Sequence, residues 1–365
     1  MSTDSEHQKT DYAAAGVDIA AGEEAVELFK PYAAKAHRPE VLGGIGGFAG
    51  LFELKLDRWT EPVLASSTDG VGTKIAVARA MDKHDTVGID LVAMVVDDLV
   101  VCGAEPLFLQ DYIAVGKVVP EQVAELVKGV AEGCVQAGCA LLGGETAEHP
   151  GLMAAGDYDL SGTGVGVVEA AKLLGPNRVR PGDVVIAMGS TGLHSNGFSL
   201  ARHVLLDLAK LPLSGHVEEF GRALGEELLE PTRIYAKDCL ALVAETDVRT
   251  FAHVTGGGLA ANLARVLPDD LTAVLDRRTW TPAPVFAVLA QRGRIDRADM
   301  ELTFNMGVGM VAVLSAEDSD RALAMLTARH VPAWVLGEVA RTKDIADRLT
   351  GPEQRVLLHG DHPRF

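Results

Sequence analysis

The sequence contains little cysteine, few aromatic residues and no long apolar run. Its four cysteines include no Cys-x-x-Cys pair, which argues against a structural zinc site and favours buried free thiols in a reducing compartment. No uninterrupted apolar segment is long enough to span a membrane, and the polar first eleven residues lack the apolar centre of a signal peptide. These absences predict a cytoplasmic protein with no membrane partner.

Positively charged residues are also few in comparison with negatively charged ones. The chain has 33 Lys and Arg against 51 Asp and Glu, a net charge of −18, and its pI is near 5.0. Such a chain repels nucleic acid, so no nucleic-acid partner is expected. An anionic substrate would need local help from backbone N–H groups, a metal ion or a few placed cations.

The length and composition predict a globular protein of two domains. The 365 residues are 48% hydrophobic and 23% charged, which is typical of a chain with a sizeable core. The segment K-L-L-G-P-N-R-V-R-P-G-D at 172–183 is rich in Pro, Gly and charge, as linkers are. We therefore expect a disordered tail, an N-terminal domain, a C-terminal domain and a final strand with a loose tail, at 1–11, 12–172, 173–345 and 346–365.

The familiar nucleotide-binding fingerprints are missing. No P-loop motif is present, and the G-x-G-x-x-A pattern of Gly44, Gly46 and Ala49 lacks the preceding core strand and following helix of a Rossmann site. The F-E-L-K-L-D segment after it alternates like a strand. Glycine-rich backbone that approaches phosphate closely, including Gly46 and Gly47, remains open.

Two blocks organise the chain: S-S-T-D-G-V-G-T-K at 66–74 and G-I-D-L-V-A-M-V-V-D-D-L-V-V-C-G-A-E-P at 88–106. The first predicts a strand that stops at a Gly-rich turn and a helix from Thr73 to Met81. The second predicts an apolar helix that carries Asp90, Asp97 and Asp98. Each acid alone is as well explained by capping or by pairing with Lys or Arg. Together they favour a site that compensates buried carboxylates, for which Mg²⁺ is one candidate.

Three further loops carry polar residues beside glycines. The strand from 139 is expected to break at Gly143-Gly144 and deliver Glu145, and H-S-N-G at 194–197 and T-G-G-G at 255–258 each stand between a strand and a helix. The alternatives are turn polarity for Glu145, a solvated loop histidine and two ordinary α/β loops. The remaining patterns predict helices at 120–136, 286–291 and 317–327 and strands at 106–115, 157–168 and 184–189.

A series of motifs resembles the aminoimidazole ribonucleotide synthetases, the phosphoribosylformylglycinamidine cyclo-ligases. They run in order over about residues 12–340 and include AGVDIAAG, STDGVGTK, GIDLVAM, GAEPLF, GGETAE, DYDLSG, HSNGFSL, PTRIYAK, HVTGGGL and FNMGVGM. The resemblance implies an α/β fold. It implies an α+β N-terminal domain that would pair with that of a second subunit into a barrel, and a second α/β domain that would close the cleft. It also implies an ATP-dependent ring closure of formylglycinamidine ribonucleotide through an iminophosphate.

The resemblance also implies roles for individual residues. Mg²⁺ on the ATP triphosphate would be held by Asp69, Asp98 and Glu145, and His194, Asp98 and Lys30 would serve the chemistry. The phosphates would be lined by Gly46, Gly47, Thr68, Asp69, Gly70, Gly72 and Lys74. The substrate would be held by Ser195, Asn196, Gly197, Thr255, Gly256, Gly257 and Gly258.

The chain departs from the family pattern at Asp97 and His149, where Asn and Met are usual. Helical geometry places Asp97 on the same face as Asp90 and about 100° away from Asp98. We therefore expect Asp97 to accept a hydrogen bond from a Lys, an Arg or a backbone N–H rather than to bind the metal. Glycine-rich strands in 43–67 and 106–115 would leave sheet edges open, which predicts a homodimer.

Overall fold

The computed structural model describes residues 15–44, 47–351 and 353–364. The predicted tail 1–11 and the predicted phosphate-lining Gly46 therefore lie outside the described residues. In the first half the strands are β1 Val41–Leu42, β2 Leu51–Phe52, β3 Pro62–Gly70, β4 Glu105–Val115, β5 Ala140–Glu148 and β6 Tyr158–Glu169. The helices are α1 Ile19–Ala33, α2 Ile75–Ala80, α3 Val87–Val100 and α4 Pro120–Ala137.

Four of these strands form one mixed sheet in the order β3-β6-β4-β5. Only the β4–β5 pair is parallel, and α4 makes the crossover between these two strands. The buried helix α3 packs against β3, β4 and β6, and α4 packs against α3. The opposite face of the sheet carries exposed side chains, among them Leu64, Thr68 and Tyr112.

The second half builds a larger sheet. Its strands are β7 Val184–Gly189, β8 His216–Val217, β9 Arg222–Ala223, β10 Val248–His253, β11 Leu271–Asp276, β12 Val308–Leu314, β13 Ala333–Arg341 and β14 Val356–His359. Its helices are α5 Phe198–Arg202, α6 Leu224–Leu228, α7 Ala236–Glu245, α8 Gly258–Ala264, α9 Pro284–Gly293, α10 Arg297–Thr303 and α11 Ser319–Ala328. Six strands pair in the order β10-β12-β7-β13-β11-β14.

Both faces of the six-stranded sheet are covered. Alternate residues of β7 enter different apolar clusters, with Ile186 and Met188 on one side and Val185 and Ala187 on the other. This alternation follows from the two-residue period of a strand. The first cluster continues into α3 and α4, so the two halves of the chain share one core.

Most sequence-predicted elements are present. Helix α4 begins with Pro120 at its first turn and ends at Gly138, whose φ of 79° suits a glycine cap. The predicted elements at 286–291, 317–327, 106–115, 157–168 and 184–189 correspond to α9, α11, β4, β6 and β7. Among the described residues, no helix combines the length and apolar character needed to cross a membrane.

Strand β3 ends at Gly70, at the predicted glycine-rich turn, and β6 pairs with it along its whole length. Two local predictions were wrong. Strand β5 does not break at Gly143-Gly144 but runs through both glycines, which pair with β4. The F-E-L-K-L-D segment, expected to be a strand, contributes only Phe52 to the short β1–β2 hairpin, and its last two residues begin a 3₁₀ turn at Leu56–Arg58.

The close approach of α3 and α4 depends on a glycine. A Cβ at Gly88 would lie 2.3 Å from the backbone nitrogen of Val130, so Gly88→Ala should force the helices apart and cost about 1–3 kcal/mol of unfolding free energy. Gly22→Ala in α1 is the matched control, because nothing lies within 4 Å of its Cβ position. Chemical denaturation of both variants measures the difference, and equal stability would contradict the packing described.

Candidate active site

The two blocks of the first half meet the H-S-N-G loop of the second half around a cleft of about 370 Å³. The Ser195 hydroxyl donates to the carbonyl of Val71 at 2.6 Å, and the Thr73 and Ser199 hydroxyls lie 3.0 Å apart. The cleft is lined by Asp69, Gly70, Val71, Gly72, Met94, Asp159, Leu160, Ser161, Ser195 and Asn196. Sequence segments separated by more than 100 residues therefore build one site.

Lys74 does not line this cleft, which corrects the expectation that it contacts phosphate. Its side chain is fully buried, and its Nζ donates to Asp90 Oδ1 at 2.8 Å and to the carbonyls of His194 at 3.0 Å and Glu230 at 2.7 Å. All three donors of the ammonium group are thereby used. Burial lowers the pKa of Lys74, and the charge of Asp90 opposes that shift. The lysine has a structural role between the halves.

The acids of α3 divide between two tasks. Asp90 and Asp97 are buried, and both contact the segment before α7: Asp90 Oδ1 accepts from Thr232 N at 2.8 Å, and Asp97 Oδ1 accepts from Tyr235 N at 2.9 Å. The backbone N–H expected as the partner of Asp97 is thus found. Burial raises the pKa of Asp97 to about 7, and its Oδ2 has no hydrogen-bond partner in the described residues.

Asp98 is not among the residues that line this cleft, but its charge acts on Asp69, which does line it, and the Asp98 side chain is 46% exposed. Its Oδ1 lies 2.9 Å from Nδ1 of the buried His253, at the end of β10. Burial lowers the pKa of His253, but the hydrogen bond to Asp98 and the charges of Asp97, Asp98 and Asp69 outweigh it, so the pKa is raised. The pair joins α3 of the first half to β10 of the second through a charge-assisted contact.

Asp69 and Asp98 are the carboxylates that fit a divalent cation. Burial raises the pKa of Asp69, and the nearby charge of Asp98 raises it further, so a cation between them would be stabilised. Mg²⁺ is commonly held by one or two carboxylates together with substrate phosphates. Among the described residues, no cluster of three or more His, Cys, Asp or Glu forms a ready metal site.

Glu145 and Thr68 are not brought to this pair. Glu145 stands on β5, three strands from β3, which is about 14 Å at ordinary strand spacing. Sheet register aligns Asp69 with Asp111 and Glu145 with Tyr112, so pleat alternation directs Glu145 to the opposite face. Thr68 also points to that face, where its hydroxyl meets that of Thr163 at 2.8 Å. Glu145 therefore does not complete the predicted three-acid metal site.

The side chain of His194 is buried rather than exposed in its loop. It adopts a φ of 62°, its Nε2 accepts from Thr191 N at 3.2 Å, and its Nδ1 is buried without a partner in the described residues. Burial holds the pKa of His194 well below its usual range, with further lowering by the charges of His253, Lys74 and Arg233. The imidazole is neutral near pH 7, so it can exchange a proton but carries no charge for binding an anion.

The two loops that are expected to hold the substrate, at 194–197 and 255–258, adjoin one another. A Cβ at Gly256 would lie 3.6 Å from Asn196 Oδ1, and Asn262 Nδ2 donates to the carbonyls of Gly256 and Gly258. The hydroxyl of Thr255 contacts Asn262 Oδ1 at 3.4 Å. Gly257 follows in the left-handed conformation and caps α8, as Gly197 caps α5. Of the expected set, Ser195 and Asn196 line the cleft, and the loop from Thr255 to Gly258 adjoins Asn196.

Lys30 and Gly47 lie elsewhere. Lys30 is an exposed residue of α1 that pairs with Glu27. Gly47 lines a second cleft of about 460 Å³ between α1 and the β4–β5 edge, which Asp111 and Glu145 also line. The structure does not bring Lys30 to the Asp69–Asp98 pair.

Sequence reasoning missed His253 and Thr232. Each stands inside a motif quoted for the resemblance, H-V-T-G-G-G-L or P-T-R-I-Y-A-K, but its partner lies far away along the chain. His253 meets Asp98 across 155 positions and Thr232 meets Asp90 across 142. A polar residue next to a strand end or helix start was the available signal.

Comparison with known proteins identifies the chain's relatives. The AIR synthase related protein N-terminal domain matches residues 50–168, and the corresponding C-terminal domain matches residues 180–349. The fold, with its mixed four-stranded sheet and covered six-stranded sheet, is that of an AIR synthase related protein.

Two curated relatives are more specific. The chain is 56% identical over 329 residues to the phosphoribosylformylglycinamidine cyclo-ligase of Anaeromyxobacter dehalogenans (strain 2CP-C), covering 90% of this chain and 95% of the relative. It is 52% identical over 343 residues to that of Myxococcus xanthus (strain DK1622), covering 94% and 99%. The chain belongs to the phosphoribosylformylglycinamidine cyclo-ligase family.

Solved structures share the fold at low identity. The thiamine-monophosphate kinase of Stenotrophomonas maltophilia K279a is 21% identical with a TM-score of 0.67, covering 92% of this chain and 96% of the kinase. The hydrogenase maturation protein HypE, in complex with ATP, is 18% identical with a TM-score of 0.63, covering 93% and 91%.

Asp97→Asn should fold and keep a large fraction of wild-type activity, because an amide oxygen can still accept from Tyr235 N. Asp97→Ala should cost about 1–3 kcal/mol of unfolding free energy, because it leaves that buried N–H unpaired. Thermal unfolding and steady-state turnover measure the two effects. A loss of activity in Asp97→Asn as deep as in Asp98→Asn would contradict this purely structural role of Asp97.

Proposed function

We propose that this chain catalyses ATP-dependent ring closure of formylglycinamidine ribonucleotide to 5-aminoimidazole ribonucleotide, with release of ADP and phosphate. The amide oxygen of the substrate is a poor leaving group, and transfer of the γ-phosphoryl group onto it gives an iminophosphate. The amidine nitrogen of the same molecule then forms the C–N bond as phosphate leaves. Membership in the cyclo-ligase family supports this proposal.

One observation carries the assignment of the reaction to the cleft. The Asp69–Gly72 turn and the H-S-N-G loop line the same space, and the Gly256 loop adjoins Asn196. The acids are thereby placed on one side and the small, polar loops on the other. A site that holds both reactants in this way gains most from proximity, since effective molarities of intramolecular reactions reach on the order of 10⁵ M or more.

Asp69 and Asp98 would hold Mg²⁺ on the ATP phosphates, where the ion would supply neutralisation of negative charge. Their half-buried environment and mutual repulsion support this assignment. His253, which hydrogen-bonds Asp98, would fix the orientation of that carboxylate. Neutral His194 would exchange a proton close to the substrate, and Asn196 with the Gly256–Gly258 loop would hold the ribonucleotide.

The deciding assay supplies purified protein with Mg²⁺-ATP and formylglycinamidine ribonucleotide. We expect one ADP, one phosphate and one aminoimidazole product per turnover. ADP formation with a stable phosphorylated product would indicate a kinase of the same fold instead. No ADP formation above a substrate-free control would reject the proposal.

Asp69→Asn and Asp98→Asn should each lower kcat by orders of magnitude at unchanged thermal stability, because each removes a negative charge from the proposed cation site. Asp320→Asn serves as the control, since Asp320 is an exposed acid of α11 that does not line the cleft. Turnover is measured across a Mg²⁺ titration. Near-normal activity of both variants would rule out the metal assignment.

His194→Asn should lower kcat more than it raises the KM for ATP, because His194 stands on the substrate side. Its pKa is lowered on folding, so its contribution to stability is present above about pH 6.5, the unfolded value, and is lost as pH falls below it. The stability difference between wild type and His194→Asn should therefore shrink from pH 8 to pH 5. Weakened ATP binding with unchanged kcat would contradict the substrate-side role.

We infer that the chain forms a homodimer through the four-stranded sheet. Its strands β3 and β5 are edges in the described residues, and the open face includes Leu64, which is 62% exposed. A face of this kind favours association. Leu64→Glu should shift light-scattering mass from dimer to monomer at micromolar protein, whereas Leu302→Glu, also 62% exposed but in α10, should leave it unchanged. A wild-type monomer would contradict the inference.

A further inference from the structure

Arg233 lies in the segment before α7, which contacts α3 of the first half, and its backbone is held on both sides. Thr232 N donates to Asp90 at 2.8 Å, and Tyr235 N donates to Asp97 at 2.9 Å. Both acids belong to the buried helix α3, so the position of Arg233 relative to the cleft is fixed by the core. A side chain carried on such a restrained segment is well placed to act on a ligand without large rearrangement.

The guanidinium group of Arg233 forms no hydrogen bond or ion pair within the part of the chain that the structure describes. Its Nε is buried, and the N–H there donates to no protein acceptor. The neighbouring Arg222, by contrast, pairs with both Glu227 and Glu230. Buried donors are nearly always satisfied, and an exception calls for a missing water, ion or ligand. In a chain of net charge −18, an unpaired arginine with a buried donor stands out.

The surroundings leave the charge of Arg233 uncompensated. Lys74 is neutralised by Asp90, and His253 is paired with Asp98. His194, whose pKa is lowered first by burial and then by the charges of His253, Lys74 and Arg233, is neutral. Arg233 therefore presents positive charge beside the His194 loop, and part of its side chain remains accessible.

We propose that Arg233 binds a phosphoryl group in the cleft beside His194. This assignment rests on the proposed function, in which the ribonucleotide phosphate and the ATP phosphates are the two sources of that chemistry. A guanidinium group offers several N–H donors in a plane that matches two phosphate oxygens. The buried Nε would gain its missing acceptor when the phosphoryl group binds.

The test compares Arg233→Met and Arg233→Lys with wild type. Methionine keeps an unbranched apolar stem and removes the charge, so folding should be retained, since no protein partner of the guanidinium is lost. Arg292→Met is the control, because Arg292 is exposed on α9 and forms no ion pair in the described residues. Thermal unfolding confirms that each variant is folded before binding is measured.

We expect Arg233→Met to raise one KM by about 10- to 100-fold, the range of a charge-assisted hydrogen bond, with a smaller rise in Arg233→Lys. A raised KM for formylglycinamidine ribonucleotide would show that Arg233 binds the ribonucleotide phosphate. A raised KM for ATP would show that it binds the ATP phosphates. Arg233→Met should also raise the pKa of His194, followed by NMR of its ring, because a nearby positive charge is removed. If both KM values stay within twofold of wild type, the proposal is overturned.

Calorimetric titration with inorganic phosphate separates this proposal from the proposed function. If wild type does not form the aminoimidazole, the function fails, and the phosphate titration then decides the role of Arg233. Phosphate binding that is present in wild type and Arg292→Met but lost in Arg233→Met supports the proposal. Equal binding in all three proteins, or binding in none of them, overturns it.

Discussion

The buried contact between Lys74 and Asp90 is the interaction on which the rest of the site depends. A charge removed from water is tolerated only when it is paired and hydrogen-bonded, and here one ammonium group uses all three donors inside the protein. Its acceptors come from α3, from the His194 loop and from the segment before α7. The Lys74 ammonium group therefore connects three separate parts of the chain. Because the His194 loop is one of them, this contact also positions one wall of the cleft.

Helix α3 distributes its acids by simple helical geometry. Asp90 and Asp97 are seven residues apart, face the same direction and hold the backbone of the 232–235 segment. Asp98 is turned by about 100° and meets His253 at the end of β10. Neighbouring residues of one helix thus contact different parts of the second half. Asp90 and Asp97 hold the segment before α7, and Asp98 contacts β10.

Much of this architecture could be predicted from sequence, for reasons that are local. Pro120 and Gly138 mark the ends of α4, and glycine pairs and triplets mark the loops at the ends of β7 and β10. The partners of buried charges could not be predicted, because Lys74 meets oxygens 16, 120 and 156 positions away. The place of Glu145 was also beyond reach, since it depends on strand order and on a bulge in the β4–β5 register. A shift of one residue in strand register would move such a side chain to the other face of the sheet.

The hydrogen bonds of Lys74 to both halves of the chain have a consequence for the order in which the structure forms during synthesis. Ribosomes deliver the first half before residues 194 and 230 exist, so a nascent N-terminal half holds a lysine with only Asp90 as its acceptor. Until the second half has been synthesised, two of the three acceptors of that ammonium group are missing, and we expect water to take their place. Because these contacts have high sequence separation, we expect the cleft to be completed only after the second half has emerged.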